Sequence, residues 1–305
     1  MQVTCIGGAC VDRSYRVQGN AIGGSSNPAT RVLPLFGGVA RNVSENLARL
    51  KVRSALFSVV GNDALGQALL EELRAAGVHV DLVKIIDGPC DDYVAILERG
   101  ELALGAADMR AIESLTVDDL DRRWETVAES GWLFVDCNVS AGILHACLER
   151  RSIAPYRLAV DAVSEPKAQR LPARLDRIDA LFINEGEACA YLGAAGGWSP
   201  EDLATALLDR GARAVVLTCG ERGTICGDRS RWTHVPAIPV HRVCATGAGD
   251  ALVAGTLWRL IAGDDVRDAA RTGAALAALT LETDRSVRAD LSPALLDRGV
   301  AARLL

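Results

Sequence analysis

What this chain lacks narrows its function first. Its 305 residues hold no uninterrupted apolar run approaching ~18 residues, so no membrane-spanning helix is expected. The N-terminus, Met1-Gln2-Val3-Thr4-Cys5-Ile6-Gly7-Gly8, has neither a basic leader nor a long apolar stretch. No signal peptide is read there, and the cytosol is the expected compartment. Excess positive charge is absent: the net charge is -6 with Lys and Arg dispersed, which argues against a nucleic-acid-binding surface. The nine cysteines, at 5, 10, 90, 137, 147, 189, 219, 226 and 244, form no C-x-x-C pair and no Cys/His cluster. They read as reduced, mostly buried thiols. His79, His145, His234 and His241 sit in no motif that would activate a Ser or Cys nucleophile, so a hydrolase of that kind has no support.

What is present is a chain that is 50% hydrophobic and long enough for a full α/β core. Short apolar runs alternate with helical patterns, the mark of βα units and a mainly parallel sheet. Strands are expected near 2–8, 54–60, 132–136, 157–161, 179–183 and 213–218. Helices are expected near 40–50, 64–76, 140–150, 184–192, 200–210, 248–261 and 265–281. The expected fold is a single 1–305 domain with a doubly wound three-layer α/β/α core.

Two segments break the rhythm. Residues 10–36 are rich in Gly, Ser, Asn and Pro; within 90–107, Tyr93–Leu97 and Leu102–Leu104 flank a Glu98-Arg99-Gly100-Glu101 turn and read as a β-hairpin. Strands inserted early in an α/β domain do not easily join its parallel core, so these segments are expected to form a small sheet covering a site. A second hairpin is expected from Gly223–Gly227 and Arg231–Val235, leading back toward residue 250.

The most informative stretch is Thr246-Gly247-Ala248-Gly249-Asp250, followed at once by an apolar run at helical spacing. Glycines let backbone N–H groups approach a ligand, and the first helical turn carries unpaired amides with partial positive charge, so the loop suits an anion. A carboxylate beside a phosphate is repelled by it unless it takes a proton from the attacking group. The structural alternative is an Asp in the first turn of a buried helix. Near the other end of the chain, Gly37-Gly38-Val39-Ala40-Arg41-Asn42 is a second glycine-rich entry to a helix.

Together with the Asn184-Glu185-Gly186-Glu187 turn and Leu217-Thr218-Cys219-Gly220-Glu221-Arg222-Gly223, these motifs resemble the ribokinase-like, PfkB-type sugar and nucleoside kinases over nearly the whole chain. Ser26-Asn27-Pro28, Gly37–Asn42, Asp108-Met109, Asp136-Cys137-Asn138 and Asp161-Ala162-Val163-Ser164 with Lys167 look like the pseudouridine-kinase branch. The resemblance implies transfer of a phosphoryl group from ATP, with Mg²⁺, to the 5′-hydroxyl of a nucleoside.

It further implies roles for particular residues. Asp250 is the implied base, and the amides of Gly247, Ala248 and Gly249 the implied anion hole. Asp12, Asn27, Gly38, Asn42, Asn138 and Lys167 are the implied substrate contacts. Asn42 has the alternative of bonding its own helical turn, Asn138 of capping a loop, and Lys167 of lying in solvent. Thr218, Gly220 and Gly223 are implied to line the nucleotide, or else form an ordinary tight turn. Asn184 with Glu187 is the implied phosphate and magnesium motif, acting through ordered water; the same spacing is that of a capping box, and both readings stay open. The adenine pocket is expected between 237 and 243 and along 272–282.

Three positions depart from the family pattern. Cys244 replaces the Asp that many relatives use for a monovalent cation, which removes support for potassium activation; Cys10 replaces an Asn ahead of Asp12; and no proline precedes Asn184. A ribokinase-like kinase for another nucleoside or a free sugar is the alternative. A non-catalytic nucleoside-binding protein would have no chemical reason to keep the intact Thr246–Asp250 loop. A dinucleotide-dependent oxidoreductase is disfavoured because Gly7-Gly8-Ala9-Cys10-Val11-Asp12 is not a complete G-x-G-x-x-G. A homodimer that covers the apolar face of the small sheet is also expected.

Overall fold

The computed structural model describes residues 1–32, 35–99, 101–194, 197–240 and 246–304. At its centre is an eight-stranded sheet. Six strands run parallel in the spatial order Ser54–Phe57, Val3–Ile6, Trp132–Asp136, Arg157–Asp161, Ala180–Asn184 and Ala214–Thr218. Thr224–Asp228 and Trp232–Val235 add an antiparallel hairpin at one edge.

Both faces of the sheet are covered, and the strand sequences account for it. Phe134, Ala159, Phe182 and Val216 face one apolar layer with the helices Val39–Arg49, Ala64–Ala76, Ala248–Ala262 and Val266–Leu281. Their sequence neighbours Leu133, Val135, Leu158, Val160, Leu181, Ile183, Val215 and Leu217 face the other layer with Ala141–Arg150 and Pro200–Asp209. Successive side chains of a strand point to opposite faces, so strands buried on both sides read as continuous apolar runs. The result is the doubly wound three-layer fold.

Local signals set the helix ends. Asp63 caps the helix Ala64–Ala76 by accepting from the Gly66 N–H, and Gly77 ends it in the left-handed conformation. The helix Val117–Ala128 carries a Thr116/Asp119 capping box; it and the helix Pro293–Leu304 are additions to the elements expected from sequence. The expected 54–60 strand is divided: Val59–Gly61 leaves the main sheet and pairs in parallel with Lys84–Ile86.

A second sheet has five strands. Cys10–Val17 pairs in parallel with Asp91–Glu98, which pairs antiparallel with Glu101–Asp108. Ala29–Arg31 and Leu35–Gly37 also run antiparallel to Cys10–Val17. This sheet springs from the carboxyl end of the first strand, beside the place where the chain order reverses between Val3–Ile6 and Trp132–Asp136. Open α/β sheets form their ligand crevices at such a reversal.

Eight cysteines among the described residues are free thiols, and seven are buried. No helix among the described residues is long and apolar enough to cross a membrane.

Candidate active site

One carboxylate organises the turns at the carboxyl ends of the strands Val3–Ile6 and Trp132–Asp136. Asp136 is fully buried at the end of its strand. Its Oδ2 accepts from the backbone N–H of Gly8 at 3.0 Å and of Ala40 at 2.8 Å, and its Oδ1 accepts from that of Asn138 at 2.9 Å. One side chain thus fixes the turn after the first strand, the first turn of the helix Val39–Arg49, and its own outgoing loop. Burial pushes the Asp136 carboxyl up while these three N–H groups pull it back.

Gly38, at the cap of that helix, has φ +99°, and a Cβ there would lie 2.4 Å from the Gly8 carbonyl oxygen. Glycine is what allows the two turns to touch. The close approach brings Asn42 to the crevice, where its Nδ2 donates to Asp250 Oδ2 at 2.7 Å across 208 residues of sequence.

Asp250 lies in the first turn of the helix Ala248–Ala262, whose cap, Gly247, is left-handed at φ +82°. A Cβ on Gly247 would lie 2.2 Å from the Ser286 carbonyl oxygen. Burial raises the Asp250 carboxyl to about 7; the Asn42 hydrogen bond opposes the shift, and Asp136 and Asp12 add to it. A carboxylate with that proton affinity is matched to taking a proton from an alcohol near neutral pH.

Asp12 projects from the small sheet into the same electrostatic neighbourhood. Burial holds it at about 6, with the Cys10 thiol and Arg41 lowering it and Asp92 raising it. Asn138 Oδ1 accepts from Lys167 Nζ, and burial lowers the Lys167 ammonium. Lys167 is therefore a partly buried cation at the crevice rather than a free surface lysine. Asn27 differs from the other named residues. Its Oδ1 accepts from the Ile22 N–H, and its Nδ2 donates to the carbonyls of Ile22 and Ser25, so its amide closes its own loop.

Asn184 and Glu187 form a complete capping box on the helix Glu185–Leu192. Glu187 Oε2 accepts from the Asn184 backbone N–H at 2.8 Å, its Oε1 accepts from Asn184 Nδ2 at 2.6 Å, and its own N–H donates to Asn184 Oδ1 at 2.9 Å. Burial pushes the Glu187 carboxyl up. Among the described residues no group of three or more His, Cys, Asp or Glu has the arrangement of a metal cage.

Beside the Gly247 helix start lies a cavity of about 570 Å³. Thr218, Gly220 and Gly223 line it together with Ala248 and Gly249, and its apolar wall includes Val235, Ala237, Ile238, Ala277 and Leu281. The cavity thus joins the glycine turn after the strand Ala214–Thr218 to the segment 237–240 and the helix Val266–Leu281. Residues 241–243 and Cys244 lie outside the described residues.

Two residues of the site escaped the sequence reading. Asp136 anchors three backbone segments, and Arg41, 1% exposed, donates from Nη1 to Asn42 Oδ1 at 2.8 Å. Both stand inside motifs that were legible, but their partners are set by tertiary contact.

A glycine-walled cavity at a helix start, with the Asn42–Asp250 hydrogen bond in that helix's first turn, on a doubly wound sheet, defines a phosphotransferase of the ribokinase-like class. The chain belongs to the pfkB family of carbohydrate kinases, whose family description matches residues 1–290. It is similar to a pseudouridine kinase of Escherichia coli (strain K12), with 29% identity over 297 residues that cover 95% of this chain and 93% of that protein. A carbohydrate kinase from Agrobacterium tumefaciens superposes with a TM-score of 0.82 at 30% identity, covering 98% of this chain and 96% of that one. The Arabidopsis thaliana ribokinase complexed with ribose and ATP shares the fold, with a TM-score of 0.83 at 20% identity over 98% of each chain.

Proposed function

We propose that this pfkB-family kinase transfers the terminal phosphoryl group of ATP to the 5′-hydroxyl of a nucleoside, and that the nucleoside is pseudouridine. The observation that carries the reading is the Asn42–Asp250 hydrogen bond, set between the helix start at Gly247 and the small-sheet carboxylate Asp12. The E. coli relative and the motifs from Ser26 to Lys167 favour pseudouridine over another nucleoside or a free sugar.

In this reading Asp250 removes the proton of the 5′-hydroxyl as that oxygen attacks the phosphorus. The N–H groups of Gly247, Ala248 and Gly249 receive the charge that spreads over the transferring oxygens. Asp12, Gly38, Asn42 and Asn138 hold the ribose, and Lys167 supports Asn138 from behind. The cavity takes the nucleotide: Thr218, Gly220 and Gly223 lie along its phosphates and ribose, and the apolar wall at Ala237, Ile238 and Ala277 takes the adenine.

Both carboxylate oxygens of Glu187 already accept hydrogen bonds from Asn184, which disfavours direct ligation. Their remaining lone pairs suit water in the shell of a hydrated Mg²⁺, an ion that dehydrates reluctantly. When bound with the nucleotide, the ion supplies positive charge to the phosphates. Asn184 and Glu187 orient its water, and no monovalent cation is invoked.

Phosphoryl transfer must exclude water, so the five-stranded sheet acts as a lid over the sugar. An open lid exposes apolar residues of its inner face, and pairing with the lid of a second copy of the chain covers them. The deciding experiment measures ADP release with ATP and Mg²⁺ against pseudouridine, uridine, cytidine, inosine, adenosine, ribose and fructose, with Asp250→Asn in parallel. Turnover confined to pseudouridine and lost in the variant supports the whole reading. Turnover of another acceptor keeps the kinase and removes the pseudouridine assignment.

A further inference from the structure

A charged side chain with almost no access to water sits one residue before Asn42. Arg41 is 1% exposed, and its guanidinium spans three elements. Nη2 meets Glu45 Oε2 at 2.6 Å within its own helix and Glu72 Oε1 at 2.6 Å on the helix Ala64–Ala76. Nη1 donates to the Phe36 carbonyl at 3.1 Å and to Asn42 Oδ1 at 2.8 Å. Phe36 belongs to the strand Leu35–Gly37, which pairs with Cys10–Val17 and places Leu35 opposite Asp12.

The chemistry of an amide makes the Asn42 contact decisive. An amide has an accepting end and a donating end, and with Oδ1 held by a guanidinium only Nδ2 remains to face Asp250. A flipped amide would set its NH₂ against Arg41 and its oxygen against the Asp250 carboxylate, two repulsive contacts in place of two hydrogen bonds. A lysine in this place keeps the charge but not the planar fork that reaches Phe36, Asn42, Glu45 and Glu72 together.

We propose that Arg41 is the positioning residue of the Asp250 base, fixing the Asn42 amide in its donating orientation and tying that orientation to the lid strand opposite Asp12. The inference rests on the kinase reading, with Asp250 as the base. The titratable and charged groups around Asp250 are Asp12 on the lid strand, Asp136 and Asp161 at the ends of the central strands, and Arg41 on the helix Val39–Arg49. Arg41 is the cation of this set and favours the ionised form of Asp250.

The test uses the full chain and two readouts, kcat and KM across pH and the ¹³C titration of the Asp250 carboxyl. In Arg41→Gln the Asp250 midpoint moves upward by about one pH unit. Its kcat falls about 10- to 100-fold, as expected when a reacting group is misplaced, while KM for ATP stays within about twofold. In Arg41→Lys the midpoint stays near that of the unmodified protein while kcat still falls, which separates charge from geometry.

Because Glu45 loses its buried partner in Arg41→Gln, Glu72→Gln provides a milder loosening of the same guanidinium, and a fall in kcat without loss of thermal stability supports the role. Unmoved kcat and an unmoved Asp250 midpoint in all three variants overturn it. If the unmodified protein phosphorylates no acceptor, the kinase reading fails. The carboxyl titration, which needs no turnover, then still decides whether Arg41 governs Asp250.

Discussion

Ala40 donates its backbone N–H to the carboxylate of Asp136, 96 residues further along the chain, at 2.8 Å. The same carboxylate oxygen accepts from Gly8, so the helix that carries Asn42 and the turn that leads to Asp12 share one anchor. Replacing Asp136 with Asn sets an NH₂ group against at least one of these N–H donors. The expected loss is about 1.5–3 kcal/mol of folding stability, measured by urea unfolding, with a matching fall in activity because Asn42 shifts. An Asp136→Asn protein as stable as the original would remove the anchor from this account.

Asp250 makes an opposite prediction for stability. Its folded-state proton affinity, about 7, lies above that of an exposed carboxyl, so between pH 4 and pH 7 the unfolded chain binds fewer protons and stability falls as pH rises. Asp250→Asn should therefore melt higher than the unmodified protein at pH 8 and show little difference near pH 4. Activity runs the other way: the proposed base works ionised, so kcat rises with pH through about 7, and the variant loses about 10²–10⁴-fold in rate. Melting curves that differ equally at both pH values would contradict the raised proton affinity.

Gly247 occupies a left-handed conformation with the Ser286 carbonyl where a Cβ would stand. Gly247→Ala is expected to cost at least about 1–3 kcal/mol. Because the loop itself must move, kcat should drop about 10²-fold, the scale of losing one anion-hole donor. Full activity with lowered stability would separate this glycine from the chemistry.

Ala277 faces the 570 Å³ cavity from the helix Val266–Leu281. Ala277→Phe fills part of that space and should raise KM for ATP about tenfold, roughly 1.4 kcal/mol, with KM for the acceptor unchanged. Steady-state kinetics with each substrate varied in turn distinguishes this from general damage. An acceptor KM that rises with it would place the nucleotide elsewhere.

How far the sequence reached depends on whether the signal was local. The helix Ala64–Ala76 was legible to the residue because Asp63 and Gly77 mark both ends and leucines keep the period between them. The central strands were legible as apolar runs, since burial on both faces confines polar residues mostly to their ends. The helix Val117–Ala128 was not placed: only Leu120 and Val127 among its residues are buried and apolar, in a stretch dense with charge. The division at Ser58 was equally hidden. Its hydroxyl donates to the Gly7 carbonyl, a contact set by the neighbouring strand, while the apolar pattern runs on through Val59 and Val60.

The site divides in the same way. Glycine motifs announce a helix start wherever they stand, so Gly38 and Gly247 could be found by inspection. That Asn42 and Asp250 meet is a property of two helices packed side by side, and that Arg41 is buried follows from Glu45 and Glu72 closing over it. Asn184 and Glu187 kept two readings in sequence; the capping box is now seen to be made, and it coexists with the proposed water-mediated role.

The cavity and the carboxylate crevice draw on different stretches of chain. Residues from Thr218 to Leu281 line the first, while Gly8, Asp12, Gly38, Asn42, Asp136 and Asn138 build the second. Asp250 and Asn42 meet at the seam between them. Under the proposed assignment, substitutions in the first half of the sequence retune which alcohol is accepted while the seat for the phosphoryl donor stays unchanged. Such a division of labour lets the acceptor site be altered one loop at a time without disturbing the energy source.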